Sequence, residues 1–467
     1  MLVKALQTRL HRTLLPLLFV SSFLVVSPQF KMEPCGCPNT NEKSRAAIEN
    51  EPGTSNPAVV YINRILQQSV SSCFSDDTIF KVPEPLRSVN PEAYTPTVIS
   101  IGPFHSDRKD LKANLLKPMY LRHLFNLSHL SVNTIVETVQ TLEQRVRCCY
   151  TESIEMNRDE FVKLLVLDAC FVVMHLISWQ NPKLDIPNAA YLWQSWYEIF
   201  VDLMLLENQL PFFLLQSLYD LFAPSQPLLE HKSFIQIVQD YFSGHNNSEL
   251  ILIDIESSAE NVNHFVDLVR MRKTDMVFNR TIIQGLVWPP SATELHECGV
   301  IFSTGIDIKF NDQSGCLQLL PINIDNTFEK RVKNIIAYEQ HHIHMNIWNE
   351  VSNFALFMTS LVQTDQDVKL LIEGGIIQNE LGSIKDVTQL FYNLGKYINI
   401  GFNSYNSDCQ KMKDYCKRRR HRWMTSLRRN YFSTPWLCAS TIAAILLLAL
   451  TLIQTIVAVL TGFKKSS

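Results

Sequence analysis

The feature that most restricts this chain lies near its end. From Tyr431 to Phe463 there is no Asp, Glu, Lys, Arg or His. Crossing the hydrocarbon core of a bilayer takes ~20 residues of helix, and this run is longer. Each Leu, Ile or Val near the helix centre contributes roughly −0.3 to −0.6 kcal/mol, so the run favours insertion by several kcal/mol. Gln454 is its one strongly polar interruption. The spacing predicts a transmembrane helix over residues 436–463, with Leu447 and Leu448 deep in the apolar layer. Trp436 and Phe463 sit where interfacial aromatics belong. The competing reading, a buried core helix, fits poorly, because globular helices seldom stay uncharged for so long. A basic juxtamembrane segment, residues 411–430, precedes the span and carries Lys417, Arg418, Arg419, Arg420 and Arg422. A short tail, residues 464–467, follows it with only Lys464 and Lys465 charged.

The rest of the chain is ordinary globular material. Of 467 residues 46% are apolar, enough for a sizeable core, and glycine is scarce at 14, which favours helices over turn-rich β architecture. A net charge of −3 provides no global attraction to nucleic acid, so no nucleic-acid partner is expected. The basic block is local and reads as a surface for the lipid bilayer. The 11 cysteines are odd in number and scattered, with no C-x-x-C pair, which reads as reduced, partly buried thiols.

The two ends pull topology in opposite directions. Residues 1–30 carry Lys4, Arg9 and Arg12 before the apolar stretch Leu14 to Val26, the size of a signal-peptide core. Three readings stand: a secretory signal, an uncleaved anchor, or a gene-model extension with Met32 as the true start. A cleaved signal would leave the basic block outside the cytosol, whereas the positive-inside rule favours a cytosolic body. The sequons at Asn126, Asn246 and Asn279 are possible glycosylation sites and keep the first topology open.

Residues 31–57 are rich in Pro, Asn, Glu and Ser and read as a disordered linker. A helical body is expected over 58–410, opening on an amphipathic helix with Val59, Ile62, Leu66 and Val70 inward. Five prolines between Ile79 and Pro103 exclude a long helix there, and Thr97 to Ile101 suggests a short strand. A helical region marked by Leu115, Met119, Leu121 and Leu124 follows. Phe161 to Trp179 is a strongly apolar helix. Ile199 to Phe222 is too charged for a span and reads as a helix to about Leu206, a break at Glu207-Asn208-Gln209, and a second helix from Pro211. Residues 223–261 read as loop with short helices. Helical spacing resumes from Val262 to Met271, and Ala292 to Cys298 is a short helix ended by Gly299. Ile306, Ile308 and Phe310 alternate with Asp307 and Lys309, and Leu317 and Leu319 resume the alternation after an Asn311–Gly315 turn. That is a β-hairpin. Further helices follow, two opened by Thr364 with Asp367 and by Ser383 with Asp386.

Common catalytic signatures are missing: no G-x-G-x-x-G, P-loop, H-E-x-x-H or G-x-S-x-G is present. Asp168 lies among apolar neighbours and is expected to pair with a buried cation or cap a helix, although a catalytic role is the alternative. Glu207 would have a raised pKa as a buried catalytic acid. Its structural reading is a hydrogen bond to the amides at the Pro211 helix start. Glu339, His341, His342 and His344 could hold a metal, but a partly exposed polar helix face fits better. His296 with Cys298 is a weaker pair still. No metal and no cofactor are expected.

Several stretches together resemble the plant DUF247 family, also called UPF0481. They are Ile79-Phe-Lys-Val-Pro, Val98-Ile-Ser-Ile-Gly-Pro-Phe-His, Asp168-Ala-Cys-Phe-Val-Val and Asp202-Leu-Met-Leu-Leu-Glu-Asn-Gln-Leu-Pro-Phe-Phe. His264-Phe-Val-Asp-Leu-Val-Arg, Ala292-Thr-Glu-Leu-His-Glu-Cys-Gly-Val and Asn334-Ile-Ile-Ala-Tyr-Glu-Gln add to them. Ala169 stands where members usually have Gly, and the apolar N-terminal extension is not typical. The resemblance implies a plant single-pass membrane protein, mainly α, with a large helical body. It carries over no catalytic residue. Some members are associated with self-incompatibility in grasses, which implies recognition of protein partners. The expectation is a non-enzymatic, membrane-anchored recognition or interaction protein. An unrecognised membrane-bound enzyme with a pocket around Asp168 and Glu207 is the alternative.

Overall fold

Burial on every side singles out one helix as the centre of the core. The computed structural model describes residues 78–128, 130–181, 184, 195–223, 232–245, 262–270, 285–342, 349–418 and 435–465. All of them belong to the larger of the chain's two units, Ser72–Ser467. The N-terminal apolar segment, the linker and the stretch from Ala58 to Val70 lie outside the described residues.

Dense proline keeps the first part in short turns: α1 (Glu84–Arg87) and a 3-10 turn (Pro91–Tyr94). Then come α2 (Lys117–Leu127), α3 (Val132–Arg147) and α4 (Arg158–Gln180). Asn157 caps α4 by accepting from the Glu160 N–H at 2.9 Å. Phe161, Leu165, Cys170, Phe171, Met174 and Leu176 are fully buried, on several faces of the helix. A helix apolar all round needs neighbours all round. They are α2, α3, α6 (Phe212–Phe222) and α7 (Phe234–His245). α3 and α7 are full helices where the sequence reading named none and only short ones. Ser131 caps α3 by accepting from the Thr134 N–H.

α5 (Trp196–Asp202) ends four residues before the expected Leu206. The cause is local. Carboxamides of Asn208 and Gln209 take the carbonyls of Asp202, Leu203 and Leu205, which a continuing helix would have used itself. α6 then starts directly after Pro211, as expected.

After α8 (Phe265–Arg270) and α9 (Ala292–Glu297), the expected hairpin forms from β2 (Lys309–Asn311) and β3 (Cys316–Leu319), with Phe310 opposite Leu317. Three additions lay outside the sequence reading. β1 (Ile301–Thr304) joins β3 in parallel, making a three-stranded sheet in the order β1-β3-β2. β4 (Ile322–Ile324) pairs in parallel with β5 (Ile377–Asn379), more than 50 residues away (377 − 322). Between those two strands lie α10 (Phe328–His341), α11 (Glu350–Leu361) and α12 (Asp365–Glu373). Thr364 and Asp367 make the expected capping box, and Ser383 opens α13 (Ile384–Leu394). α14 (Asn406–Lys417) packs on the hairpin. The Phe310 N–H donates to Asp408 at 3.2 Å, and Tyr415 meets the Phe310 ring edge-on at 5.5 Å.

Among the described residues two helices are long and apolar enough to cross a membrane, α4 and α15 (Pro435–Lys465). They differ in surroundings. The apolar window of α4 is 83% buried in protein, and that of α15 is 0% buried.

Candidate functional site

Asp168, singled out in the sequence, and Asn208, next to Glu207, both belong to one buried node whose organiser is an extended segment without a strand partner. Thr97 to Ile101 forms no ladder. Instead six consecutive backbone N–H groups each find a side-chain oxygen. Those of Thr97, Val98 and Ile99 donate to the Asp202 carboxylate at 3.0, 2.7 and 3.0 Å. The Ser100 N–H donates to Asn114 Oδ1, that of Ile101 to Asn208 Oδ1 at 2.6 Å, and that of Gly102 to Asp168 Oδ2 at 2.9 Å. Buried amides must be paired, and here side chains replace a neighbouring strand.

The carbonyl side is served in the same way. Lys117 Nζ donates to the Ser100 carbonyl at 2.6 Å and forms an ion pair with Asp168 Oδ1, also at 2.6 Å. Asn208 Nδ2 donates to the Ile99 carbonyl. Asp168 therefore pairs with a buried cation, as the structural reading expected. Burial pushes its carboxyl up, while Lys117 and the Gly102 N–H pull it back. Burial also pushes the Asp202 carboxyl up, against Lys330 and the three amides.

The loop after α5 supplies the rest. Gln209 Oε1 accepts from the Phe265 N–H, and the Gln209 carbonyl accepts from Tyr150 Oη at 2.9 Å. The Leu206 N–H donates to Asn334, whose carboxamide donates to the Ala93 carbonyl. One short loop thus ties together α1's neighbourhood, α8 and α10.

Glu207 corrects both of its sequence readings. Its partners are the Val82 N–H at 2.6 Å, the Arg87 guanidinium and His105 Nε2 at 3.4 Å, not the start of α6. Its pKa is lowered, not raised: burial opposes ionisation, but the bonds from His105, Val82 and Arg87 outweigh it. The folded chain therefore holds this proton less tightly than the unfolded chain. The stabilisation is complete above the ordinary value of 4.5 and is lost as pH falls below it. Glu207→Gln should destabilise the full-length protein by about 2 kcal/mol at pH 7. Urea unfolding at pH 7 and pH 3.5 checks this, because the difference from wild type should shrink at the lower pH.

The Glu339 to His342 stretch is corrected in part. The polar face is exposed only at His341, since Glu339 is 0% and His342 5% exposed. Glu339 accepts from the Val351 and Ser352 N–H groups at 3.0 and 2.7 Å, which anchors the first turn of α11. His342 Nδ1 lies 2.9 Å from the Tyr338 carbonyl, and the His341 ring stacks on Phe80 at 3.8 Å. His344 lies outside the described residues. Among the described residues no three His, Cys, Asp or Glu side chains are grouped to hold a metal. His296 is exposed on α9, and Cys298 forms no disulfide.

Sequence reasoning missed Asn114, Lys117 and Asn334 as members of the node. It also missed that Asp367, read only as a cap, accepts from the Thr293 N–H of α9 at 2.6 Å. Chemically, the node holds backbone in place. Asp168, Glu207 and Glu339 are each taken up by backbone amides or cations, which removes them as a free acid–base set.

Elsewhere, Trp436, Leu447 and Leu448 are exposed on α15, at 85, 63 and 65%. Phe463 falls in the last turns of that helix. Lys417 and Arg418, at the end of α14, make exposed ion pairs with Asp414 and Asp312. Arg419, Arg420 and Arg422 lie outside the described residues, as do Asn246 and Asn279. Asn126 is exposed in the last turn of α2.

The DUF247 family profile, described as a plant protein of unknown function, matches residues 79–450. The chain belongs to the DUF247 family. Two proteins of Arabidopsis thaliana are similar along most of their length. The UPF0481 protein At3g47200 is 26% identical over 433 residues, covering 82% of this chain and 86% of that protein. The putative UPF0481 protein At3g02645 is 22% identical over 494 residues, covering 83% and 91%. No solved structure matches the chain. The match to the DUF247 profile takes in the node, the sheet and about half of α15.

Proposed function

We propose that this DUF247 protein is a membrane-tethered, non-enzymatic recognition or scaffold protein whose helical body binds other proteins. One observation carries the tether. α15 is as apolar as the core helix α4, yet none of its apolar window is buried in protein. Apolar surface of that extent calls for an apolar surrounding, and the length suits a bilayer. The absence of common catalytic motifs and the engagement of Asp168, Glu207 and Glu339 support a binding role over a chemical one. The basic residues before α15 favour a cytosolic body under the positive-inside rule. Recognition of the kind implied for some relatives in self-incompatibility is one form such a role takes.

Two measurements on the full-length protein test this reading. Alkaline carbonate should leave the chain in the membrane pellet, and a chain washed into the supernatant would remove the tether. Proximity labelling from the body should recover the same protein neighbours in repeated experiments. A set of neighbours that changes at random from one repeat to the next would remove the recognition role.

A further inference from the structure

Within α15 one residue is out of keeping with its surroundings. Gln454 lies well inside the apolar run, and its carboxamide makes no hydrogen bond among the described residues. The neighbouring hydroxyls are satisfied within the helix. Thr451 Oγ1 donates to the Leu447 carbonyl at 2.8 Å, and Thr455 Oγ1 to the Thr451 carbonyl at 2.7 Å. Gln454 offers two donors and an acceptor, and hydrocarbon supplies no water to meet them.

Its position is patterned. Ser440, Ala444, Leu447, Thr451 and Gln454 follow one another at steps of four, three, four and three, and Ala458 continues the series. That spacing keeps them on one seam of a helix that can wind left-handed about another. The opposite face carries Ile442, Ile445, Ile453 and Ile456. Apart from Leu447 the seam is small or polar, whereas the opposite face carries these isoleucines.

Among the described residues no second exposed apolar helix offers Gln454 a partner. α4 is the other described helix apolar enough to span, and it is buried in the body. Resting on the anchoring reading above, we propose that two copies of this chain associate in the membrane through this seam, with the two Gln454 carboxamides bonded to each other. Copies inserted with the same orientation bring Gln454 to the same depth. A carboxamide is its own complement, donor to acceptor, across a twofold axis. A different partner would need a polar group at that same depth.

The test uses full-length chains labelled with donor or acceptor fluorophores, reconstituted together in phosphatidylcholine vesicles at decreasing protein-to-lipid ratio. Energy transfer should persist on dilution for wild type. Gln454→Leu should weaken association about tenfold. Gln454→Asn should recover part of it, and Ile456→Ala on the opposite face should leave it unchanged. Transfer that is absent in wild type, or that Gln454→Leu leaves intact, overturns the proposal. Carbonate extraction of the same vesicles separates the two failures. A wild-type chain that is retained but monomeric refutes the pairing alone, and one that is released refutes the anchor as well.

Discussion

Asp202→Ala should destabilise the full-length protein by roughly 5 kcal/mol, the largest loss expected of any single side chain here. The change removes the acceptor for three consecutive amides, at Thr97, Val98 and Ile99, in a place that is 0% exposed. Water cannot take over. It also leaves Lys330, whose side chain is only 14% exposed, without the carboxylate 3.7 Å away. Asp202→Asn keeps an oxygen that can accept and should lose about half as much. Urea denaturation of the detergent-solubilised protein reads both. Equal losses in the two variants would mean that charge, not amide capture, is what Asp202 supplies.

Gly102→Ala should destabilise by about 3 kcal/mol, through two effects of similar size. Gly102 sits at φ +77°, in the left-handed region that a side chain disfavours. A Cβ there would also lie 2.6 Å from the Gln209 carbonyl oxygen and 3.1 Å from Tyr150 Oη. The carbonyl cannot yield cheaply, because the Gln209 carboxamide is fixed to Leu203, Leu205 and Phe265. Gly382 gives the comparison. It has φ +83°, but a methyl group added there would meet nothing within 4 Å. Gly382→Ala should therefore show the backbone part alone, roughly 1–2 kcal/mol. Thermal unfolding of the two variants side by side measures the difference.

Much of the helical frame was legible because its signals are local. Thr364 with Asp367, Ser383 with Asp386 and Gly299 after α9 each state a helix end within four residues. The apolar side of α11 could be read from Val351, Phe354, Met358 and Leu361, all buried. Asp168 was legible as a buried partner because a lone carboxylate among apolar residues needs one. The node itself was not legible. Thr97 to Ile101 has the look of a strand, and nothing within it says that its amides go to side chains 14 to 107 residues away. The parallel pairs β1–β3 and β4–β5 are three or four residues long and leave too short an alternation to read. Glu207 was placed in the right break with the wrong partners, since Val82 and Arg87 approach it only in the folded chain.

The side-chain capture of residues 97–102 also sets an order of events in time. Thr97 waits for an acceptor 105 residues further along, and Ile101 for one 107 residues along. At ~5–20 residues per second, the ribosome delivers those acceptors some ~5–20 s after the segment itself emerges. During that interval the amides of Thr97, Val98, Ile99 and Ile101 lack the acceptors they have in the folded chain. The segment from Thr97 to Ile101 therefore cannot settle fully as it is made. Its final arrangement is complete only once Asp202 and the loop after α5 have been made.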